Sequence, residues 1–236
     1  MRQTLLSLIL IFSFLTALAQ LPAKPFVLVI DPGHGGVDAG AVRGIFKESD
    51  ITLKVAQKMQ SLIQGEFSQN IEVILTRETD KSLSLENRVR LAEQKKADLF
   101  ISLHANSSQA SYVTGMEFYF KKGIYAPKLP AIEASTAVKK IIGDLTSFGQ
   151  IRQSLKFNQL LQNQIKAWRV DEKTVIKRAP FFVIEKTSMP SALIEIGYIS
   201  NLSEAKLLLT DERQQEIAET IAKTIYDFKN LQVLAQ

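Results

Sequence analysis

The stretch Phe26-Val27-Leu28-Val29-Ile30-Asp31-Pro32-Gly33-His34-Gly35-Gly36 decides the fold. Its first five residues are apolar without alternation, as expected of a strand buried on both faces of a parallel sheet. The run stops at Asp31 and passes into a glycine-rich loop to Gly44. A helix follows over about Ser49–Gln64, with Val55, Met59, Leu62 and Ile63 on one face. The unit repeats. Ile71–Thr76 reads as a strand, Ser84–Lys95 as a helix with Leu85, Val89 and Ala92 inward, and Leu99–Leu103 as a third strand. This β-α-β-α-β rhythm predicts an α/β fold: a single three-layer domain with a mostly parallel central sheet and helices on both faces.

Beyond the third strand the rhythm weakens. Gly115–Phe120 is a strand expected near the third, and Phe181–Ile184 and Ala192–Ile196 are two more. The last helix spans about Asp211–Lys229, with Ile217, Ile221 and Ile225 as its apolar stripe. Asn201-x-x-Glu204 is placed to cap a short helix before it. Residues 121–178 hold two helical stretches, Ile132–Leu145 and Ser154–Trp168.

The chain of 236 residues is 46% hydrophobic and 22% charged, which is globular rather than disordered. The net charge of +5 favours an acidic polymer, but no basic run with interleaved aromatics argues for nucleic acid. Cysteine is absent, which excludes disulfides and thiolate metal sites. Residues 1–19 read as a signal peptide: Arg2, an apolar Leu5–Leu15 too short to span a bilayer comfortably, and Ala17-Leu18-Ala19 as the cleavage site. The alternative is an uncleaved anchor. Residues 20–25 are then a linker, 26–229 the domain and 230–236 a tail. The expected protein is exported, periplasmic in preference to extracellular or wall-attached, monomeric, and not held in the membrane once cleaved.

The chain has two histidines, and each follows an apolar strand. His34 stands among Gly33, Gly35 and Gly36, which let the backbone turn and expose the ring. His104 ends Leu99-Phe100-Ile101-Ser102-Leu103. Two imidazoles at matching strand ends suit a metal, since open α/β sheets hold their sites at such edges. A catalytic zinc site usually has three protein ligands, so a carboxylate is missing. Glu48 is a candidate, although a glutamate in a first helical turn is also what the helix dipole favours. Glu195 sits inside the apolar run Ala192–Ile196, where an unpartnered carboxylate is costly. Burial there raises its pKa toward that of a general base, and the other reading is an ion pair with Arg77 or Arg88. Asp31 either orients a ligand ring or anchors the loop backbone.

Asp31-Pro32-Gly33-His34-Gly35-Gly36, Lys47-Glu48, Ser102-Leu103-His104-Ala105-Asn106 and Pro190-x-x-Leu193-x-Glu195-x-Gly197-Tyr198-x-Ser200-Asn201 occur in that order. So does Thr76-Arg77…Asp80…Arg88. Over about Phe26–Phe228 the chain resembles the zinc-dependent N-acetylmuramoyl-L-alanine amidases of the bacterial wall, the AmiC-like type. The resemblance implies His34, Glu48 and His104 as zinc ligands and Glu195 as the catalytic glutamate. It implies peptidoglycan as substrate, with cleavage between N-acetylmuramic acid and the L-alanine of the stem peptide. It also implies a regulatory insert near 121–150, with Ile132–Leu145 over the site and Glu133 reaching the zinc, and hence a protein activator. A plain surface helix is the other reading of that insert. From the residues alone, a zinc peptidase cutting within the stem, or a non-catalytic wall-binding regulator on the same fold, stays open.

Overall fold

The computed structural model describes residues 24–67, 70–123 and 135–233. The signal-peptide reading of residues 1–19 therefore lies outside the described residues, as do residues 132–134, with Glu133, and residues 234–236. The strands are β1 (Phe26–Pro32), β2 (Val42–Arg43), β3 (Phe46–Lys47), β4 (Ile71–Leu75), β5 (Leu99–Asn106), β6 (Met116–Phe120), β7 (Thr174–Arg178) and β8 (Ser191–Tyr198). The helices are α1 (Glu48–Gly65), α2 (Leu85–Gln94), α3 (Thr136–Trp168), α4 (Phe182–Glu185), α5 (Leu202–Leu208) and α6 (Asp211–Val233).

Six strands form one sheet in the order β4-β1-β5-β8-β6-β7, and β2 and β3 form a separate hairpin. Every pairing in the large sheet is parallel except β6 with β8. The sheet is covered on both faces. On one, Leu28, Ile30, Ile101 and Ile194 pack with Ile51, Val55 and Met59 of α1, Phe157 and Leu161 of α3, and Ile217, Ile221 and Ile225 of α6. On the other, Val27, Val29, Phe100 and Leu193 pack with Ala92 of α2 and with Val183 and Ile184 of α4. This is the three-layer domain with a mostly parallel sheet that the apolar pattern predicts.

The topology also fixes where a site belongs. From β1 the chain crosses to β4 on one side, whereas β5 lies on the other side of β1 and the chain continues away from it. The crevice between the C-terminal ends of β1 and β5 is thus a topological switch point. His34 follows β1 and His104 lies near the end of β5.

Four sequence expectations are corrected. Phe181–Ile184 is not a strand: residues 182–185 form a helical turn that buries Val183 and Ile184. The edge strand on that side of the sheet is β7, whose Thr-Val-Ile-Lys-Arg sequence lacks a long apolar run. An edge strand needs none, and charged residues there deter unwanted pairing. β6 does not pair with β5, because β8 lies between them. In α2, Leu85 faces solvent and Arg88 is buried in its place, drawn inward by Asp31. The two helices expected between residues 132 and 168 are, from Thr136 onward, one helix of 33 residues. Gly149 disfavours helix by about 1 kcal/mol relative to alanine, and flanking contacts outweigh it. Gln150 donates to the Ser188 carbonyl. The Ser154 hydroxyl accepts the Ser191 amide at 2.9 Å.

Those bonds place the middle of α3 at the start of β8, the end opposite Glu195. Residues 136–149 precede that anchor and are largely exposed, including Val138, Ile141, Leu145 and Phe148. This half of α3 is largely exposed among the described residues.

Candidate metal centre

Two arginines hold the His34 loop in shape. Arg77, fully buried, donates to the carbonyls of Pro32 at 2.9 Å, Gly33 at 2.8 Å and Ser49 at 2.8 Å. Arg88 donates to the Pro32 carbonyl at 2.8 Å, to the His34 carbonyl at 2.7 Å and to the Asp31 carboxylate at 2.7 Å. Buried carbonyls need such partners, and the planar guanidinium supplies several at once. Asp31 also accepts from the hydroxyls of Thr76 at 2.6 Å and Ser102 at 2.8 Å. Of its two readings the structure therefore favours the loop anchor. Neither arginine pairs with Glu195.

His34 sits in the left-handed region at φ 61°. Its Nδ1 is 2.8 Å from Asp38 Oδ2, leaving Nε2 to face Glu48 Oε1 at 3.1 Å. His104 Nδ1 approaches the same Glu48 oxygen at 2.9 Å. Glu48 is buried at the start of α1 and also accepts the backbone amides of Ala105 at 3.0 Å and Ala41 at 2.8 Å. One ligand atom from each of His34, Glu48 and His104 lies within 4.8 Å of the other two. The approach depends on missing side chains. A Cβ on Gly33 would lie 2.5 Å from His104 Cε1, and one on Gly40 would lie 2.5 Å from Glu48 Oε2.

The electrostatics describe a site that calls for positive charge. Burial pushes the Glu48 carboxyl up, but hydrogen bonds from His104 and His34 outweigh it and hold it well below the usual carboxylate range. Burial pushes the His34 imidazole down, but Glu48 and Asp38 outweigh it and raise it to about 9. A proton on the ring and a divalent cation between the donors meet the same need. Two imidazole nitrogens, one carboxylate oxygen and a carboxylate behind one ring are a donor set suited to zinc. The residues present thus fit a metal ion.

Glu195 lies opposite His104 in the register of β5 and β8. It is 9% exposed, and among the described residues its Oε2 is buried with no hydrogen-bond partner. Burial first, then the carboxylates of Glu48 and Glu117, push its carboxyl up to about 7, against the lowering effect of the histidines. The four residues singled out from the sequence therefore converge at one edge of the sheet. Sequence reasoning missed Asp38 and Glu117. Glu117 carried the same signal as Glu195, an acid inside an apolar strand, Met116-Glu117-Phe118. Asp38 lay four residues from His34 in a loop with no periodicity to read.

Residues 28–227 match the Amidase_3 family, described as N-acetylmuramoyl-L-alanine amidase. The chain is 32% identical over 217 residues to the amidase AmiC of Escherichia coli, covering 84% of this chain and 51% of that protein, so it spans about half the length of that relative. It is 32% identical over 221 residues to the germination-specific N-acetylmuramoyl-L-alanine amidase of Bacillus subtilis, covering 87% and 81% of the two chains. Among solved structures, the catalytic domain of the amidase CwlV from Bacillus (Paenibacillus) polymyxa superposes with a TM-score of 0.68 at 30% identity, covering 86% of this chain and 98% of that one. CwlD from Clostridioides difficile, solved in complex with the GerS lipoprotein, gives a TM-score of 0.69 at 26% identity, covering 87% and 98%. With most of its length matched, the chain belongs to the Amidase_3 family of N-acetylmuramoyl-L-alanine amidases.

Proposed function

We propose that this protein is a zinc amidase of bacterial peptidoglycan, cleaving the amide that joins N-acetylmuramic acid to the L-alanine of the stem peptide. The observation that carries the reading is the His34–Glu48–His104 cluster with Glu195 beside it, whose buried Oε2 has no hydrogen-bond partner among the described residues. His34, Glu48 and His104 would hold the zinc, and Asp38 fixes the tautomer and direction of the His34 ring. When bound, zinc supplies Lewis acidity, which acidifies water and polarises a carbonyl. Glu195 takes a proton from the attacking water and delivers it to the alanine nitrogen as that amine leaves. Burial, which raises the Glu195 carboxyl, suits a group that both takes and returns a proton.

The proposal includes export through residues 1–19 and action in the periplasm as a monomer. A protein activator remains part of it, as the CwlD–GerS complex shows that one relative binds a lipoprotein. The test is digestion of purified sacculi by the zinc-loaded protein, with and without chelator, followed by mass analysis of the products. Chelator-sensitive release of stem peptides beginning at L-alanine is expected. Fragments cut within the stem would make it a peptidase. Binding without any release would make it a wall-binding regulator.

A further inference from the structure

The segment from Ala41 to Glu48 joins the His34 loop to the start of α1, and it ends on a residue of the cluster. β2 and β3 pair Val42 with Lys47 and Arg43 with Phe46, which leaves Gly44 and Ile45 as a two-residue turn. Gly44 sits at φ 60°, the left-handed conformation such a turn needs at its first central position. The base of the hairpin is tied to Glu48. The Ala41 amide donates to Glu48 Oε2 at 2.8 Å, and the Ala41 carbonyl accepts the Glu48 amide at 3.0 Å. At the tip, Val42, Gly44 and Ile45 are exposed. A two-stranded ribbon is marginally stable at best by itself, so its position depends on what it touches.

Arg43 reaches across. Its Nη1 donates to the carbonyl of Ser200, 157 residues away and just beyond the end of β8. Ser200 is itself fixed. Its hydroxyl accepts the Ser108 amide at 2.9 Å, and the Ile199 amide before it donates to the Asn106 carbonyl at 2.8 Å. Asn201 after it caps α5 by accepting the Ser203 and Glu204 amides at 3.1 Å each. Arg43 therefore joins the segment that ends at Glu48 to the two that follow His104 and Glu195. The join lies on the α1 side of the sheet, where Ala41, Phe46 and Ile199 pack with the core around α1. Ile194 belongs to that core, so alternation turns Glu195 to the other face. On that face the neighbouring carboxylate, Glu117, is held by Lys177 at 2.6 Å, the Tyr198 hydroxyl at 2.8 Å, Asn106 Nδ2 at 3.3 Å and the Tyr119 hydroxyl. The hairpin leans instead on the Arg43 guanidinium.

We propose that Arg43 is a positioning residue: its hydrogen bond to Ser200 clasps the hairpin to the end of β8 and so holds Glu48 in the cluster. This rests on the metal-dependent amidase reading, and it adds what fixes the Glu48 carboxylate relative to the strand that carries Glu195. The Ala41 amide reaches Glu48 only while the hairpin stays seated. A carboxylate ligand whose own hydrogen-bond donor moves loses the orientation that a metal requires. A hydrogen bond from a charged donor shifts an equilibrium by about tenfold or more.

The test compares the wild type with Arg43→Met and Arg43→Lys in two measurements. Backbone hydrogen exchange is followed in the metal-free full chain, and zinc affinity is read by competition with a chromogenic chelator. In Arg43→Met, residues 41–48 should exchange about tenfold faster, with β4 and α2 unchanged. The zinc dissociation constant should rise about tenfold. Arg43→Lys keeps a cationic donor and should recover most of both effects. A merely structural role would lower the melting temperature without moving zinc affinity. Unchanged exchange over residues 41–48 in Arg43→Met would overturn the clasp, and so would faster exchange with unchanged zinc affinity or a lysine variant no better than methionine. Absence of zinc binding by the wild type would overturn the metal reading and the positioning role with it, while exchange in the metal-free chain still reads whether Arg43 seats the hairpin.

Discussion

Glu48 and Glu117 are both largely buried carboxylates near the same edge of the sheet, and they are held by opposite means. Glu117 meets a fixed cation, two tyrosine hydroxyls and an amide, so its charge is balanced by the protein itself. Glu48 meets two backbone amides and two imidazoles. An imidazole nitrogen donates only when it carries the proton. The balance at Glu48 therefore depends on what stands between the rings, a proton or a metal ion. A saturated carboxylate shapes a surface, whereas one left to a variable cation makes a centre of chemistry.

The comparison breaks first at Glu48. Glu48→Gln should lose bound zinc and lower turnover roughly a thousandfold, as expected when metal-supplied stabilisation is removed. Metal analysis and single-substrate kinetics read both. Full zinc content in that variant would mean the cluster is not the site. Next is the support beneath the cluster. Arg88→Met leaves Asp31 buried without its cation, which should cost about 3–5 kcal/mol of stability by denaturant titration. It should also loosen zinc, because the His34 carbonyl loses its donor.

Glu117→Gln should do less. It should keep its zinc and lose about 1.5–3 kcal/mol of stability, the scale of a charged hydrogen bond. Zinc loss comparable to that in Glu48→Gln would erase the distinction between the two carboxylates.

A further test lies in pH dependence. In chelated protein the folded state holds the His34 proton to about pH 9, against an ordinary value of 6.5. That contribution to stability is full below pH 6.5 and lost as pH rises through about 9. Glu48 works in the other direction, contributing above its ordinary 4.5 and failing as pH falls through its depressed value. The melting temperature of the chelated protein should therefore fall from pH 6.5 to 9.5, by about 2–4 °C per kcal/mol lost. The zinc-loaded protein should show no such decline, because the metal replaces the proton. Parallel curves for the two forms would argue against His34 as a ligand.

How much of this was legible follows from how each element is held. The strands β1, β5 and β8 and the helices α1 and α6 are fixed by runs and periods of apolar residues, so their positions follow from local pattern. His34, His104 and Glu195 were legible because a polar residue at the end of, or inside, such a run needs a reason. The half of the sheet built from β6 and β7 was not. β7 lies at the edge, where Lys177 and Arg178 serve as well as valine, and Phe182–Glu185 presents an apolar pair that fits a helical turn or a strand. The true partners of Arg77 and Arg88 were hidden because backbone carbonyls leave no trace in side-chain identity. The continuity of α3 through Gly149 depended on Gln150 and Ser154 reaching the start of β8, contacts about 40 residues away in sequence.

The central claim is that the three clustered residues bind the metal and Glu195 moves the proton. Measuring zinc content and turnover together in Glu195→Gln tests it most directly. The account predicts one zinc per chain, as in the wild type, with kcat lower by roughly 10²–10⁴. Turnover near the wild-type value with zinc in place would contradict it.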